Sequence, residues 1–435
     1  MAERQLPKLH TRVRFPSPAP IRMFRIAFAL VLVAGLLVAP GKAVADGPPD
    51  ELLDAIFPVL RGKKPASPPL QNAFLPRPSG PSDPVCGLSK IDLVQTRGDQ
   101  KRLFHLLADP RLGNDNQPKT VLIRLNTLGV DVDGSRRAYH PDDPFGNRCR
   151  SPADDPASQI CAVNSLGNAE IRVFEHNKRV AQHAGKSSGP NPAFAAAWSS
   201  LWTEIAARRD QWVDLQPYFG ARTPQDTRLY YSRELDRAVT FNTEIIPFKD
   251  GFPCQHGNQR NEYFIAATTR RDPPPASASD ACRTAEHLDA MTIPYVVMPP
   301  AFTDIKVGDI AIGIASIGGV ERLAFGVYGD QGPSRQIGEA SVAFVQKLRG
   351  TSNIIKNNSE AVALQIETGH RPGQAAMLGI LVLGGTAAML GADYSVENIE
   401  RVAREAFARW TAQQAGRLRA CMSSARPNPL KGSPN

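Results

Sequence analysis

The chain of 435 residues is long enough for one large domain or for two or three of average size, and its 42% hydrophobic and 21% charged residues are typical of a packed globular protein. The net charge of +9 is concentrated in residues 1–45, which hold seven Lys or Arg and one acidic residue, so the remainder carries only +3. A polybasic surface is therefore not indicated, and we expect no nucleic-acid partner.

The segment from Met23 to Ala45 has the order of a secretory signal peptide. Arg25 precedes an apolar run over residues 26–40, and small residues follow up to Ala45. The apolar run is shorter than the roughly 20 residues needed to span a bilayer. We therefore expect a secreted protein, periplasmic or extracellular, with no stable membrane insertion after signal cleavage. Residues 1–22 fit no export signal, and we interpret them as an extension ahead of the true start.

Residues 46–85 repeat Pro, Gly and Ser, which is typical of a solvated linker. Six cysteines lie in the exported part, and an even count in an oxidising compartment predicts up to three disulfides. Cys149–Cys161 is the favoured local pair, and Cys254 and Cys282 bracket a second irregular segment. A metal site is the alternative, built from the following residues: Cys254, His256, Cys282 and His287. Because this spacing is unusual and oxidised sulfur does not bind zinc, we expect no metal and no cofactor.

The pattern-bearing sequence starts near Cys86. A β-rich run over 120–130 ends in an acidic turn, Asp131-Val132-Asp133-Gly134. An insertion over about 150–226 contains an amphipathic helix, predicted from Asn191 to Trp212. Its large aromatic residues favour core packing over a platform for sugar binding. Short strands are then predicted over the following ranges: 228–231, 238–243, 263–268, 294–298, 309–316 and 322–328.

The remaining elements predict helices and one further strand. A helix is expected from Glu339 to Leu348, a buried strand and turn over 375–392, and a helix capped by Ser395 and running to about Leu418. Many short strands with few helices predict an α+β fold, with a β-rich barrel-like or curved-sheet core and appended helices. We expect the main domain over 86–350 and a C-terminal α/β extension over 351–435, packed on that core.

Two acidic residues stand at places where a cleft is expected. Asp330 ends an apolar strand, and Glu339 follows a Gly/Pro turn at the predicted start of a helix. Two carboxyl groups facing one cleft are what glycosidic bond cleavage needs, because one protonates the departing oxygen while the other activates water or attacks the sugar. A structural role is the alternative, since Glu339 would suit a helix N-terminus and Asp330 a turn.

The sequence of this segment, YGDQGPSRQIGEAS, resembles the G-D…G-E-A-S signature of the chitosanases of glycoside hydrolase family 75. Two other segments resemble that family in the same order: VDVDGSRRAYHPDD upstream, and TIPYVVMPP with the following KVGD. The resemblance covers Val121 to about Leu348. It implies an endo-acting hydrolase of chitosan-like β-1,4-linked glucosamine polysaccharide, working by inversion. By it, Glu339 is the general acid and Asp330 the base. The nine positions separating the two acids and the insertion depart from the family's compact members.

The upstream segment supplies candidate substrate-binding residues: Asp131, Asp133, Tyr139 and His140. Carboxylates in a groove would attract the ammonium groups of chitosan. An Asx-type turn is the equally weighted alternative for the aspartates, and a calcium loop is a third. Tyr139 and His140 suit either sugar contact or a structural role. As alternatives to chitosan hydrolysis we retain another envelope glycan, such as peptidoglycan or partially acetylated chitin, and a non-catalytic carbohydrate-binding protein.

Overall fold

A computed structural model describes the following residues: 77–78, 89–97, 100–108, 120–147, 162–176, 178–184, 190–208, 212–214, 227–256, 263–269, 282–283, 287–300, 302, 305–332, 337–369 and 373–424. The predicted signal peptide, the extension before it, the favoured Cys149–Cys161 pair and most of the predicted linker lie outside these residues.

Twenty strands are described. In chain order they are β1 (Arg77–Pro78), β2 (Ser89–Arg97), β3 (Gln100–Ala108), β4 (Thr120–Arg124), β5 (Thr127–Asp131), β6 (Arg172–Glu175), β7 (Lys178–Arg179), β8 (Trp212–Asp214), β9 (Thr227–Ser232), β10 (Arg237–Asn242), β11 (Phe248–Lys249), β12 (Phe252–Pro253), β13 (Gln255–His256), β14 (Tyr263–Phe264), β15 (Tyr295–Met298), β16 (Ile310–Ile317), β17 (Val320–Gln331), β18 (Glu339–Ser341), β19 (Ile366–Glu367) and β20 (Ala375–Leu383). The helices are α1 (Pro192–Ala207), α2 (Val342–Arg349), α3 (Asn358–Ala363), α4 (Ala387–Leu390) and α5 (Val396–Ser424).

The main sheet has eleven strands in the order β1-β2-β3-β4-β20-β16-β17-β15-β18-β5-β19. Its pairing is mixed, because β15 runs parallel to β17 and β18 runs parallel to β5, while the neighbouring pairs are antiparallel. The eight strands from β4 to β19 curl into a half-barrel. The predicted α+β class with a curved-sheet core is confirmed.

The insertion forms a second sheet with α1 packed against it. The sheet has five strands in the order β7-β6-β10-β9-β8. Helix α1 begins with the Asn191 side chain accepting the Ala193 N–H and buries Phe194, Trp198 and Leu201. Trp198 packs beside Phe241 and donates its indole N–H to the Pro141 carbonyl oxygen at 2.6 Å. The aromatic stripe of this helix therefore belongs to the core, as the pattern favoured.

The helix expected from Asn191 to Trp212 ends at Ala207, and Trp212 begins β8. A second wrong helix boundary concerns a candidate site residue. Glu339 lies at the start of β18 and not in the first turn of a helix, because Glu339–Ser341 pairs with β5 on one side and β15 on the other. Helix α2 begins only at Val342, where the Ser341 hydroxyl accepts the Phe344 N–H at 3.2 Å and caps the helix. The strand expected over 263–268 is shorter than predicted and is limited to β14 at Tyr263–Phe264.

The C-terminal segment supplies a central strand of the main sheet. Strand β20 lies between β4 and β16, and α5 packs against β16 and β17 with Ile399 and Val402 buried. The Ser395 hydroxyl lies 3.4 Å from the Asn398 N–H, as expected for a cap, and α5 continues to Ser424, beyond the expected end. Among the helices that the structure describes, none is both long and apolar enough to cross a membrane.

Cys254 and Cys282 form a disulfide, one of the pairings that the sequence indicated. The bond closes a segment of 28 residues that includes Thr269. The alternative of a metal site using these sulfurs is excluded by the bond, because a disulfide sulfur is not a thiolate ligand.

Candidate functional site

A β-bulge places Asp330 at the end of β17. The parallel pairing of β15 with β17 shifts register between Val296 and Val297, so Asp330 and not Gly329 becomes the Cα partner of Val297. Gly329 suits this position because a Cβ there would lie only 2.6 Å from the Cβ of Tyr295. Bulges of this kind commonly re-aim a side chain next to a functional site.

Glu339 lies level with Asp330 in the sheet, on the strand at the other side of β15. It is also a Cα partner of Val297, through the antiparallel pairing of β15 with β18. Asp330 and Glu339 thus flank one residue on two neighbouring strands, and two strand spacings separate their Cα atoms by roughly 10 Å. On the far side of Glu339 the partner is Gly129, whose missing side chain leaves space beside the half-buried glutamate.

Asp131 and Asp133 lie at the end of β5 and in the turn that follows. Asp131 accepts the Asp133 N–H on Oδ1 at 3.0 Å, which is the Asx-type turn offered as one sequence interpretation. Gly134 completes the turn with φ +77, and a Cβ there would lie 1.9 Å from the Leu288 carbonyl oxygen. The turn is therefore fixed against the segment before β15.

The carboxylates of Asp131, Asp133 and Asp330 converge. Carboxylate oxygens of the three residues lie within 4.8 Å of one another. Strands β5 and β17 are separated by β18 and β15, a span of roughly 14 Å on a flat sheet. The convergence therefore depends on the curl of the half-barrel, which brings side chains of distant strands together. We call these three residues the carboxyl cluster.

Two buried tyrosines hold the cluster. The Tyr139 hydroxyl donates to Asp133 Oδ1 at 2.6 Å and accepts from Asn164 Nδ2 at 3.1 Å. The Tyr295 hydroxyl lies 3.0 Å from Asp131 Oδ2 and 2.6 Å from the Asp133 carbonyl oxygen, so one proton serves two acceptors. Burial of both rings leaves no face of either for stacking on a sugar.

Thr269 holds the third member of the cluster. Asp330 Oδ1 accepts the Thr269 N–H at 2.8 Å, the Thr269 hydroxyl at 2.7 Å and the Gln331 N–H at 2.9 Å. Thr269 lies in the segment closed by the Cys254–Cys282 disulfide. Asp330 itself is only 8% exposed, so these three donors replace much of the water that a carboxylate would otherwise bind.

Burial and neighbouring negative charges raise the pKa of the acidic groups of the cluster. Burial, followed by the charge of Asp131, raises the pKa of Asp330 to about 7, while the Thr269 donors act in the opposite sense. Burial, then Asp131 and Asp330, raise the pKa of Asp133 well above its usual range, and Glu339 adds to this. Burial also raises the pKa of Asp131. The site therefore retains protons that exposed carboxyl groups would have lost.

The spacing of the carboxyl cluster is also one that a cation would require. Protein donors reach at least one oxygen of each of the three carboxyl groups: Tyr139 at Asp133, Asp133 N–H at Asp131, and Thr269 at Asp330. The three residues therefore form a hydrogen-bonded carboxyl cluster.

The structure brings four of the six sequence candidates to one region and buries the other two, Tyr139 and His140. Asp330, Asp131 and Asp133 form the cluster, and the charge of Glu339 acts on Asp133. Tyr139 lies in the core and orients Asp133. His140 is buried, accepts the Asp142 N–H through Nδ1 at 3.1 Å, and packs edge-on against Tyr263.

Sequence reasoning missed Thr269, Tyr295 and Asn164. Thr269 lies 61 positions before Asp330, and Tyr295 lies 164 positions after Asp131, so no local pattern connects them. Tyr295 had one usable signal: a tyrosine in an otherwise apolar strand needs a hydrogen-bond partner once it is buried.

Comparison with models of protein families and with curated proteins finds no match for this chain.

Proposed function

We propose that this protein is an endo-acting glycoside hydrolase that cleaves a chitosan-like β-1,4-linked glucosamine polysaccharide by inversion. Glu339 would act as the general acid and Asp330 as the base that activates water, in line with the sequence resemblance. The observation that carries the proposal is the bulge that sets Asp330 across Val297 from Glu339.

The separation of the two acids suits an inverting mechanism. Cα atoms roughly 10 Å apart allow carboxyl groups to approach the roughly 6.5–9.5 Å that leaves room for a water between base and sugar. A retaining enzyme needs its carboxyl groups about 5–5.5 Å apart so that one attacks the sugar directly. The strand spacing therefore supports water as the nucleophile.

The charge of the site supports a cationic substrate. Asp131, Asp133, Asp330 and Glu339 gather acidic groups in one region, although the chain after residue 45 carries a net charge of +3. Ammonium groups on deacetylated sugars would be drawn to the ionised members of this group and would lower the pKa of Asp330 as they approach. That Asp131 or Asp133 contacts an ammonium group directly stays a prediction.

The test is product analysis on a glycan panel with matched variants. Glu339→Gln and Asp330→Asn should each lower the hydrolysis of soluble chitosan by at least about a hundredfold, because general acid–base catalysis contributes at least that much. Glu367→Gln makes the same change at the exposed second residue of β19 and should leave hydrolysis unaltered. Reducing ends released only from peptidoglycan or chitin oligomers would change the substrate, and binding without turnover would favour a non-catalytic protein.

A substrate with a good leaving group distinguishes the general acid from the general base. A glycoside with a dinitrophenolate leaving group needs no protonation, so Glu339→Gln should retain far more activity on it than on chitosan. Asp330→Asn should be poor on both substrates because the water still needs a base. The opposite pattern would exchange the two roles, and proton NMR of the first-formed product anomer checks inversion.

A further inference from the structure

Asp133 occupies the most crowded position among the acids. It shares the 4.8 Å cluster with Asp131 and Asp330, and its pKa is raised by burial first, then by the charges of Asp131 and Asp330, and also by that of Glu339. Three carboxyl groups this close cannot all be ionised near neutral pH, because like charges in a site shielded from water repel strongly. At least one proton therefore remains within the cluster.

The hydrogen bonds indicate where that proton resides. Asp330 receives three donors on Oδ1. Asp131 receives the Asp133 N–H on Oδ1, and the Tyr295 hydroxyl lies against its Oδ2. Among the described hydrogen bonds, Asp133 receives a single side-chain donor, Tyr139. Donors stabilise the ionised form of a carboxyl group, so Asp133 is the member least supported as an anion.

Resting on the proposed function, we propose that Asp133 is a third functional carboxyl, a positioning residue that carries a proton in the resting site and so leaves Asp330 free to act as the base. The Tyr139–Asn164 pair fixes its orientation. Asn164 is itself held, because its Oδ1 accepts the Ser165 N–H at 2.9 Å and Asn168 Nδ2 at 2.5 Å.

A proton on Asp133 has a definite effect on its neighbour. A third negative charge so close to Asp330 would oppose its ionisation and keep the base protonated, hence inactive, at higher pH. A neutral Asp133 removes that repulsion and offers a hydrogen-bond donor to the adjoining carboxylates. The other titratable groups facing the cluster are the following: Glu339 from β18, Tyr139 from the turn after β5, Tyr295 from β15 and Tyr328 from β17, with His287 accepting the neighbouring Thr268 N–H.

Three variants separate this arrangement from a purely structural role. Asp133→Asn keeps the shape, the acceptor for Tyr139 and a neutral donor, so kcat/KM on a glucosamine oligomer should stay within about tenfold of wild type and the acid limb of its pH profile should hardly move. Asp133→Ala removes the donor and should lose much more activity. Asp131→Asn deletes a charge beside Asp330, and its acid limb should move to lower pH by about 1 unit.

The pattern across the variants is decisive. An acid limb that moves as far in Asp133→Asn as in Asp131→Asn would mean that Asp133 is ionised in the wild type, and the proposal would be overturned. Equal losses in Asp133→Asn and Asp133→Ala would also overturn it, because the neutral donor would then have no value.

A measurement without substrate keeps this inference distinct from the proposed function. The full-length protein is labelled with ¹³C at the aspartate carboxyl carbon, and the signal of Asp133 is identified as the one that is missing from the spectrum of Asp133→Asn. In the wild type this signal should have the chemical shift of a protonated carboxyl group at pH 7. If Asp133→Asn does not fold, Tyr139→Phe should perturb that same signal in an otherwise unchanged spectrum. An ionised shift at pH 7 would refute the inference. A wild-type protein inactive on every glycan would refute the proposed function and leave this result standing.

Discussion

At the scale of single residues, the site is organised around donors that compensate for burial. Asp330 is almost completely buried, which by itself would keep its proton bound far above the usual range. Thr269 provides two of its three donors and so offsets part of that effect. The balance leaves the pKa of Asp330 at about 7, where modest changes in its surroundings decide whether it is ionised.

Thr269→Val tests that balance. Valine has the shape of threonine but lacks the hydroxyl that donates to Asp330 Oδ1 at 2.7 Å. A lost hydrogen bond to a charged group is worth roughly 1.5–3 kcal/mol, so the pKa of Asp330 should rise by about 1 unit or more. The base would then ionise only at higher pH, and kcat/KM at pH 6 should fall about tenfold or more.

Thr269→Ser is the matched control, because it retains the hydroxyl and loses only a methyl group. Its pH profile should follow that of the wild type. The acid limb of kcat/KM, followed from pH 5 to pH 9, distinguishes the two variants. Equal profiles for Thr269→Val and the wild type would show that the hydroxyl does not support the ionised form of Asp330.

At the scale of elements, the junction between β18 and α2 fixes the position of Glu339 in the sheet. The buried Ser341 hydroxyl accepts the Phe344 N–H of the helix and also the Tyr295 N–H of β15 at 3.0 Å. One side chain therefore fixes where the helix begins and how β18 lies against β15. The position of Glu339, two residues earlier, depends on both.

Ser341→Ala should be unusually costly for a helix cap. Two buried N–H groups would lose their acceptor, and each unsatisfied group costs about 1–3 kcal/mol, so the free energy of unfolding should fall by roughly 2–6 kcal/mol. Ser395→Ala removes the exposed cap of α5, where the hydrogen bond is 3.4 Å long, and should cost at most about 1 kcal/mol. Urea denaturation of both variants checks this, and similar losses would mean that the bond to β15 contributes nothing.

The local elements were predictable from sequence because their signals are local. The strand ending at Asp330, the Asp131–Gly134 turn and the buried face of α1 follow from apolar alternation, turn residues and helical spacing. Glu339 was misplaced because β18 is three residues long and is stabilised by pairing on both sides, which no local pattern reveals. The register shift in β17 is likewise a property of the sheet.

At the scale of the whole molecule, the site combines distant parts of the chain. Strand β5 brings Asp131, β17 brings Asp330, and the disulfide-closed segment brings Thr269. The curl of the sheet makes these contacts possible, and β20, near the C-terminus of the chain, lies inside that sheet. Sequence reasoning named the acids and Tyr139 but missed Thr269 and Tyr295, because the curl that brings these residues together depends on all the strands at once.

The Cys254–Cys282 disulfide should couple global stability to the ionisation of the base. The segment that it closes carries Thr269, and the Ile265 N–H donates to the Cys254 carbonyl oxygen at 2.9 Å, so the disulfide anchors the segment that leads from β14 to Thr269. Closing a loop of 28 residues stabilises a protein by about 3.5 kcal/mol through the entropy of the unfolded chain.

Replacing both Cys254 and Cys282 with serine should therefore lower the free energy of unfolding by roughly 2–4 kcal/mol. It should also move the acid limb of kcat/KM to higher pH, as in Thr269→Val, because a looser segment holds the Thr269 donors less firmly against Asp330. Denaturation and pH profiles are measured on the same preparations. Reductant added to the double variant shows what the remaining cysteines contribute. A stability loss with no change in the pH profile would mean that the disulfide stabilises the fold without positioning Thr269.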